Sequence, residues 1–234
     1  MRALLIPVKD LRAAKQRLAP LLSPQERFEL AQAMMDDVFA AVRGVRAAER
    51  TFVVTNYDPA ISRAERCGWT VLRESRQISE SASVDAASRE CESRGVTSLL
   101  RVPIDVPLIS AGDIDEVFAA AEEAAPCAVL VPSRDATGTN ALLRARPTLF
   151  PSHFGPGSFA KHMAEAQAAG ACVRTLRNPR LELDVDDPED LSALAAAISH
   201  STATGRWLER SGLAERLFTL AGPRSGAANP NCFT

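Results

Sequence analysis

Short apolar runs and amphipathic stretches alternate along this chain. Residues 2–8, 51–55, 69–72, 99–103 and 127–131 are rich in Val, Leu and Ile without an alternating polar face, which predicts buried strands. Between them lie segments with helical signals. Ser23-Pro24-Gln25-Glu26 is a capping box with Pro at the first helical position. The apolar residues after it, Phe28, Ala31, Met35, Val38 and Val42, fall on one helical face that ends at Gly44. Further helices are predicted up to Cys67, over 83–94, over 113–125 with Ser110 as cap, from the Gly/Pro turn at 154–158 to Gly170, and from Pro188. Residues 133–147 have no helical period and read as a loop with a short strand. Residues 172–176 and 181–183 read as short strands. The alternation predicts a single α/β domain over 1–200, a mostly parallel, Rossmann-like sheet with helices on both faces. From 201 to 234 the pattern changes to a polar break, a short amphipathic helix and a Gly/Pro/Asn-rich tail expected to be disordered.

Composition narrows the partners. The 234 residues are 46% hydrophobic with net charge −2, so neither nucleic acid nor an anionic membrane is an expected partner. No apolar run approaches a membrane span, and the N-terminal one is too short for a signal peptide. Five scattered cysteines without a C-x-x-C read as reduced thiols, and the expected compartment is the cytoplasm. The three histidines have no metal-site spacing.

Four stretches carry candidate chemistry. In Leu99–Ser110, LLRVPIDVPLIS, Asp105 follows a buried strand, where open α/β sheets bind ligands. A turn Asp bonded to its own backbone is the competing reading. The loop after the first strand carries Lys9, Arg12, Lys15 and Arg17, cations of the kind a triphosphate needs, though without a Walker sequence or G-x-G-x-x-G. A solvated basic loop is the alternative. Phe154-Gly155-Pro156-Gly157-Ser158 opens a helix with unshielded N–H groups, either an anion site or a plain tight turn. In Leu183-Asp184-Val185-Asp186-Asp187-Pro188, alternation puts Asp184 and Asp186 on one side, and Asp187 reads as an N-cap. A carboxylate there facing Asp105 would complete a magnesium site. Gly138-Thr139-Asn140, read alone, is a turn.

Taken in order, IPVK…AKQRL, PIDVPL, GTNAL, FGPGSF..H and LDVDDPEDL resemble the 2-phospho-L-lactate guanylyltransferase family, which includes phosphoenolpyruvate guanylyltransferases and makes the dinucleotide precursor of coenzyme F-420. The resemblance spans about residues 1–197. It implies the nucleotidyltransferase fold shared with sugar-nucleotide enzymes, GTP and a small phosphorylated acid as substrates, and magnesium (Mg2+) as cofactor. It implies that Thr139, Gly155 and Ser158 hold the acceptor and that Asp105, Asp186 and Asp184 hold metal. Lys9, Lys15 and Arg17 would meet the triphosphate, with Lys15, Arg17 and Asp105 as the catalytic set. Where the family has a Gly-rich, Asn-containing loop before the helix at 83–94, this chain has QISESASVDAA. Ser81, Ser83 and Asp85 there are the candidates for touching the nucleotide. Ile104 likewise departs from the family's PADxPL. A nucleotidyltransferase with another base or acceptor, and a nucleotide-binding regulator without turnover, are the rival readings. A homodimer is an open option.

Overall fold

The computed structural model describes residues 1–74, 76, 78–121, 126–213 and 216. Its centre is a seven-stranded sheet among these residues. In chain order the strands are β1 (Arg2–Pro7), β2 (Arg50–Thr55), β3 (Thr70–Arg73), β4 (Ser98–Arg101), β5 (Cys127–Pro132), β6 (Thr139–Ala145) and β7 (Cys172–Thr175). They lie in the order β3-β2-β1-β4-β6-β5-β7. Only β6 runs antiparallel to its neighbours, β4 and β5. The helices are α1 (Pro24–Val42), α2 (Asp58–Arg66), α3 (Glu80–Ser93), α4 (Ala111–Ala119), α5 (Ser158–Ala168), α6 (Pro179–Glu182), α7 (Pro188–Ala197) and α8 (Ala203–Ser211).

The strands form because both sheet faces are covered. Leu4, Ile6, Val53 and Leu100 pack against Met35, Val38 and Phe39 of α1 and Ile114 and Phe118 of α4. The alternate residues Ala3, Leu5, Phe52 and Val54 pack against Val84, Ala87 and Cys91 of α3. Each fully buried Leu or Phe here stabilises the fold by roughly 1.5–3 kcal/mol before ordering entropy is counted. The capping box expected at Ser23 is formed, and Ser110, expected as a cap, closes a second box with Asp113.

Three expectations are corrected. Residues 181–183 are not a strand. Asn178 caps two N–H groups, those of Arg180 and Leu181, and Pro179 starts α6, so cap chemistry overrides the alternating LEL. The segment after Gly138 is a full seven-residue strand with Thr139 and Asn140 inside it, buried between β4 and β5. The polar GTN start hid this, because its side chains find partners within the protein. Helix α4 begins at Ala111, right after its Ser110 cap and two residues before the expected start at 113, and runs to Ala119; residues 122–125 of the expected helix lie outside the described residues. Helix α8 packs on α1. Asp37 accepts from the Ala203 and Thr204 N–H groups, and Trp207 is buried with Leu30, Met34 and Leu191. The amphipathic helix expected over 204–220 is seen as α8, Ala203–Ser211; its last residues, 217–220, and the tail expected to be disordered after them lie outside the described residues.

Candidate active site

Two acidic segments meet at the end of β4. The Val185 N–H donates to the Asp105 carbonyl at 3.0 Å, which lays residues 184–186 alongside the turn after β4. Val185 is fully buried. Alternation along this extended segment therefore throws Asp184 and Asp186 to the opposite side, toward Asp105. Lys15 joins them from the first loop. Its Nζ donates to Asp105 Oδ2 at 2.8 Å and to Asp186 Oδ1 at 3.0 Å. The side chain is only 9% exposed, and its backbone is left-handed (φ 55), a conformation worth roughly 1–2 kcal/mol of strain for a residue with a Cβ. That strain turns Lys15 inward.

The loop is irregular around Lys15 and then closes into a 3-10 turn over Gln16–Leu18. Arg17, on that turn, is 73% exposed, with Nη1 3.9 Å from Asp186 Oδ2. Lys9 is exposed on the wall of the same cavity. Arg12 faces away and pairs with Asp10. The cavity holds about 400 Å³ and is lined by Lys9, Lys15, Glu80, Arg101, Asp105 and Asp186 among others. A larger groove of about 620 Å³ lies beside β3 and α3 and contains none of these carboxylates.

The charges in the cluster are unequal. Burial would raise the Asp105 pKa, but the Lys15 ammonium outweighs it and holds the carboxyl below its ordinary range. Burial would lower the Lys15 pKa; Asp105 and Asp186 reverse that and raise it. Asp184 is pushed up to about 6, first by burial and then by the Asp105 charge, against a 3.0 Å hydrogen bond from Asn140 Nδ2. One ammonium thus leaves excess negative charge among three carboxylates. No cluster of three or more His, Cys, Asp or Glu side chains is already gathered as a metal centre among the described residues. The donor chemistry nevertheless fits a hard divalent cation: oxygen ligands only, with uncompensated negative charge.

A second group of expected residues lies at the start of α5. Gly155 (φ 123) and Gly157 (φ 69) take left-handed backbone, which a side chain would strain. Gly157 is the N-cap and has no side chain to occupy the free N–H groups of the helix. Ser158 is 2% exposed. The Phe159 N–H donates to the Thr137 carbonyl, which fixes this turn against the start of β6 and so near Thr139.

His162, one turn into α5, is fully buried. Its Nε2 accepts from the His153 N–H at 2.8 Å. Nδ1 therefore carries the proton and donates to Thr139 Oγ1 at 3.0 Å. The Thr139 hydroxyl is left with its own hydrogen to donate elsewhere. Burial, then the Arg144 charge, pushes the imidazole down to about 3. The unfolded chain binds a proton on His162 below pH 6.5 and the folded chain does not until about pH 3. Its contribution is intact above pH 6.5 and is lost as pH falls toward 3. The acid destabilisation of the wild type is thus expected to shrink in His162→Gln, as measured by denaturant unfolding at pH 7 and 5; an identical pH slope in both would contradict the assignment.

The polar segment expected to meet the nucleotide is helix. Ser79 caps α3, accepting from the Ala82 N–H. Ser81 Oγ accepts from the Phe154 N–H at 2.8 Å. Ser83 Oγ donates to the Ser79 carbonyl, and its residue lines the larger groove. Asp85 accepts from the Ser152 N–H and lies 3.5 Å from Arg144. The structure does not bring Ser83 or Asp85 to the carboxylate cavity, because both serve α3 and the loop before α5. Sequence reasoning missed Glu80, Arg101 and His162. An Arg at the end of an apolar strand was the available signal for Arg101, since a buried guanidinium requires an anion.

Comparison with known proteins shows the family. A model of the guanylyl transferase CofC-like family matches residues 1–214. The phosphoenolpyruvate guanylyltransferase of Rubrobacter xylanophilus is 38% identical over 193 residues, 82% of this chain and 92% of that protein. The 2-phospho-L-lactate guanylyltransferase of Methanothermobacter thermautotrophicus is 30% identical over 190 residues, 81% of this chain and 82% of that protein. Among solved structures, a Desulfovibrio desulfuricans G20 protein assigned to the nucleotide-diphospho-sugar transferases superposes with TM-score 0.75 at 14% identity, covering 92% of this chain and 97% of that one. A cytidylyltransferase of Leptospira borgpetersenii gives 0.58 at 12% identity, covering 100% and 99%. The fold is that of the nucleotidyltransferases, and the chain belongs to the CofC-like guanylyltransferase family.

Proposed function

We propose that this enzyme joins GMP from GTP to a small phosphorylated three-carbon acid, phosphoenolpyruvate or 2-phospholactate, and releases pyrophosphate, in the synthesis of the deazaflavin coenzyme F-420. The observation that carries the reading is the convergence of Lys15, Asp105 and Asp186 on one cavity in a chain of this family. A phosphate oxygen of the acceptor attacks the α-phosphorus of GTP. The new P–O bond forms as the bond to the β-phosphate oxygen breaks, and pyrophosphate leaves with the electron pair. A phosphate monoester with a second pKa near ~6 is already an anionic nucleophile, so no general base is needed. Lys15, Arg17 and Lys9 hold the triphosphate and the departing charge. Magnesium, held by Asp105, Asp186 and Asp184, would neutralise charge on the reacting phosphate oxygens. Thr139, the Gly155 turn and Ser158 hold the acid. Ser81, Ser83 and Asp85 are engaged elsewhere, so we assign them to the scaffold of the acceptor loop rather than to the guanine.

No helix among the described residues is long and apolar enough to cross a membrane. We place the enzyme in the cytoplasm, the compartment that five scattered cysteines without a C-x-x-C suggest.

Ser158→Ala is expected to raise the acceptor KM more than the GTP KM, because its residue opens α5 in the turn assigned to the acid, not in the basic loop assigned to the triphosphate. Steady-state kinetics with each substrate varied in turn checks this. An effect on GTP alone would move the turn to the nucleotide side. The test of the function itself is pyrophosphate release over GTP, CTP, UTP and ATP against both acids. Release with GTP and one of the acids is expected. Consumption of another nucleotide would overturn the base assignment, and nucleotide binding without release would favour a regulator.

A further inference from the structure

Arg101 is unusual in this cavity. It ends β4, and its side chain is only 8% exposed, yet it faces the cavity that holds Asp105. Its guanidinium makes three contacts. Nη1 donates to the Asn140 carbonyl at 2.9 Å. Nη2 pairs with Glu80. The group also lies over the Phe154 ring, 4.2 Å from its centroid. Its Nε is buried with no hydrogen-bond partner. An Arg cannot discharge itself by losing its proton, so it must keep an anion close.

Two of these contacts identify what the cavity presents it to. Asn140 directly follows Thr139, and Phe154 directly precedes Gly155. Arg101 is thus fixed to the neighbours of both segments assigned to the acceptor, and on its other side lies the carboxylate cluster. The third contact differs. Glu80 is the first residue of α3, 28% exposed, on the cavity wall. At that position the helix dipole favours its charge whether or not it touches Arg101. Its partly exposed carboxylate can turn to solvent once another anion takes its place on Arg101. A carboxylate that is easily displaced from a buried guanidinium marks the place of a carboxylate that arrives with the substrate.

We propose that Arg101 binds the carboxylate of the phosphorylated acid and that Glu80 holds that place until the acid displaces it. This rests on the acceptor reading above. Arg101 then selects acids over uncharged three-carbon phosphates, because only a carboxylate replaces Glu80 and also reaches the unpaired Nε in a two-pronged grip.

The test is binding of phosphoenolpyruvate to the GTP-free protein in magnesium, by calorimetry, with pyrophosphate release followed separately. Arg101→Lys is expected to weaken phosphoenolpyruvate binding at least about tenfold, since an ammonium keeps the charge and loses the fork. Glu80→Gln is expected to tighten it about threefold, the scale of a partly exposed competing ion pair. Glycerol 2-phosphate, which has no carboxylate, should bind both variants as it binds the wild type. Unchanged phosphoenolpyruvate affinity in both variants, or equal weakening of both ligands in Arg101→Lys, overturns the proposal. So does weaker binding in Glu80→Gln. If Arg101→Lys fails to fold, Glu80→Gln decides alone, because its side chain is partly solvent-facing. A wild type that neither binds phosphoenolpyruvate nor releases pyrophosphate overturns the underlying functional reading instead.

Discussion

Asp105→Asn is expected to fold and to lose turnover on the order of a hundredfold or more, the scale of removing a preorganised electrostatic partner. The fold should survive because the change preserves shape. Asn can still accept from Lys15 Nζ, and Lys15 keeps its 3.0 Å bond to Asp186. The backbone bond from Val185 to the residue 105 carbonyl is untouched. What is lost is one full charge at the centre of the cluster. Asp184 feels that charge, which helps push it to about 6, so its carboxyl should drop toward the ordinary range in the variant. Thermal unfolding checks the fold, and pyrophosphate release at saturating and limiting magnesium checks the chemistry. Near-normal turnover at limiting magnesium would remove Asp105 from the reacting centre.

Lys15→Met is expected to be more damaging and to show two separate effects. Turnover should fall by roughly 10² to 10³, because the buried ammonium that bridges Asp105 and Asp186, and that we assign to the triphosphate, is gone. Stability without metal should also fall. Breaking a fully buried ion pair costs about 3–5 kcal/mol. Asp186 is 43% exposed and Asp105 27%, so solvent screening reduces this to about 1–3 kcal/mol. The deficit should be greatest at neutral pH and should fade as pH falls below the carboxylate range, where protonation removes the repulsion. Magnesium should restore much of it, because a ligand that binds only the folded chain stabilises it by mass action. The measurement is Tm in chelator and in magnesium, for wild type and variant. A larger magnesium shift in the variant is expected; equal shifts would mean that the three carboxylates do not share a cation.

The inner strands β1, β2, β4 and β5 were legible in the sequence because burial on both faces gives them near-unbroken apolar runs, LLI in β1 and AVLV in β5. Caps at Ser23 and Ser110 were legible because their side-chain bonds are local. The misread segments are those where local pattern and tertiary partners compete. Thr139 and Asn140 look like a turn until His162, Asp184 and the α6 carbonyls satisfy them. Leu183 alternates like a strand, yet Asn178 and Pro179 had already started a helix. The acidic cluster was half legible: alternation put Asp184 and Asp186 on one side, but only the Val185–Asp105 backbone bond brings them to β4. The Arg101–Glu80 pair was not legible, because 21 residues and a helix separate its members. The inward turn of Lys15 depends on one left-handed backbone angle, which no sequence pattern around it announces.

The central claim is that this chain forms a phosphate–phosphate bond between GMP and a three-carbon phosphoacid at the cavity built by Lys15, Asp105 and Asp186. Mass spectrometry of the products, after incubation with GTP, magnesium and phosphoenolpyruvate or 2-phospholactate, tests it most directly. The account predicts a product whose mass is that of the acid joined to GMP, formed in step with pyrophosphate and nearly absent with Asp105→Asn. GTP left intact with both acids, or the same product formed at the same rate by Asp105→Asn, would contradict it.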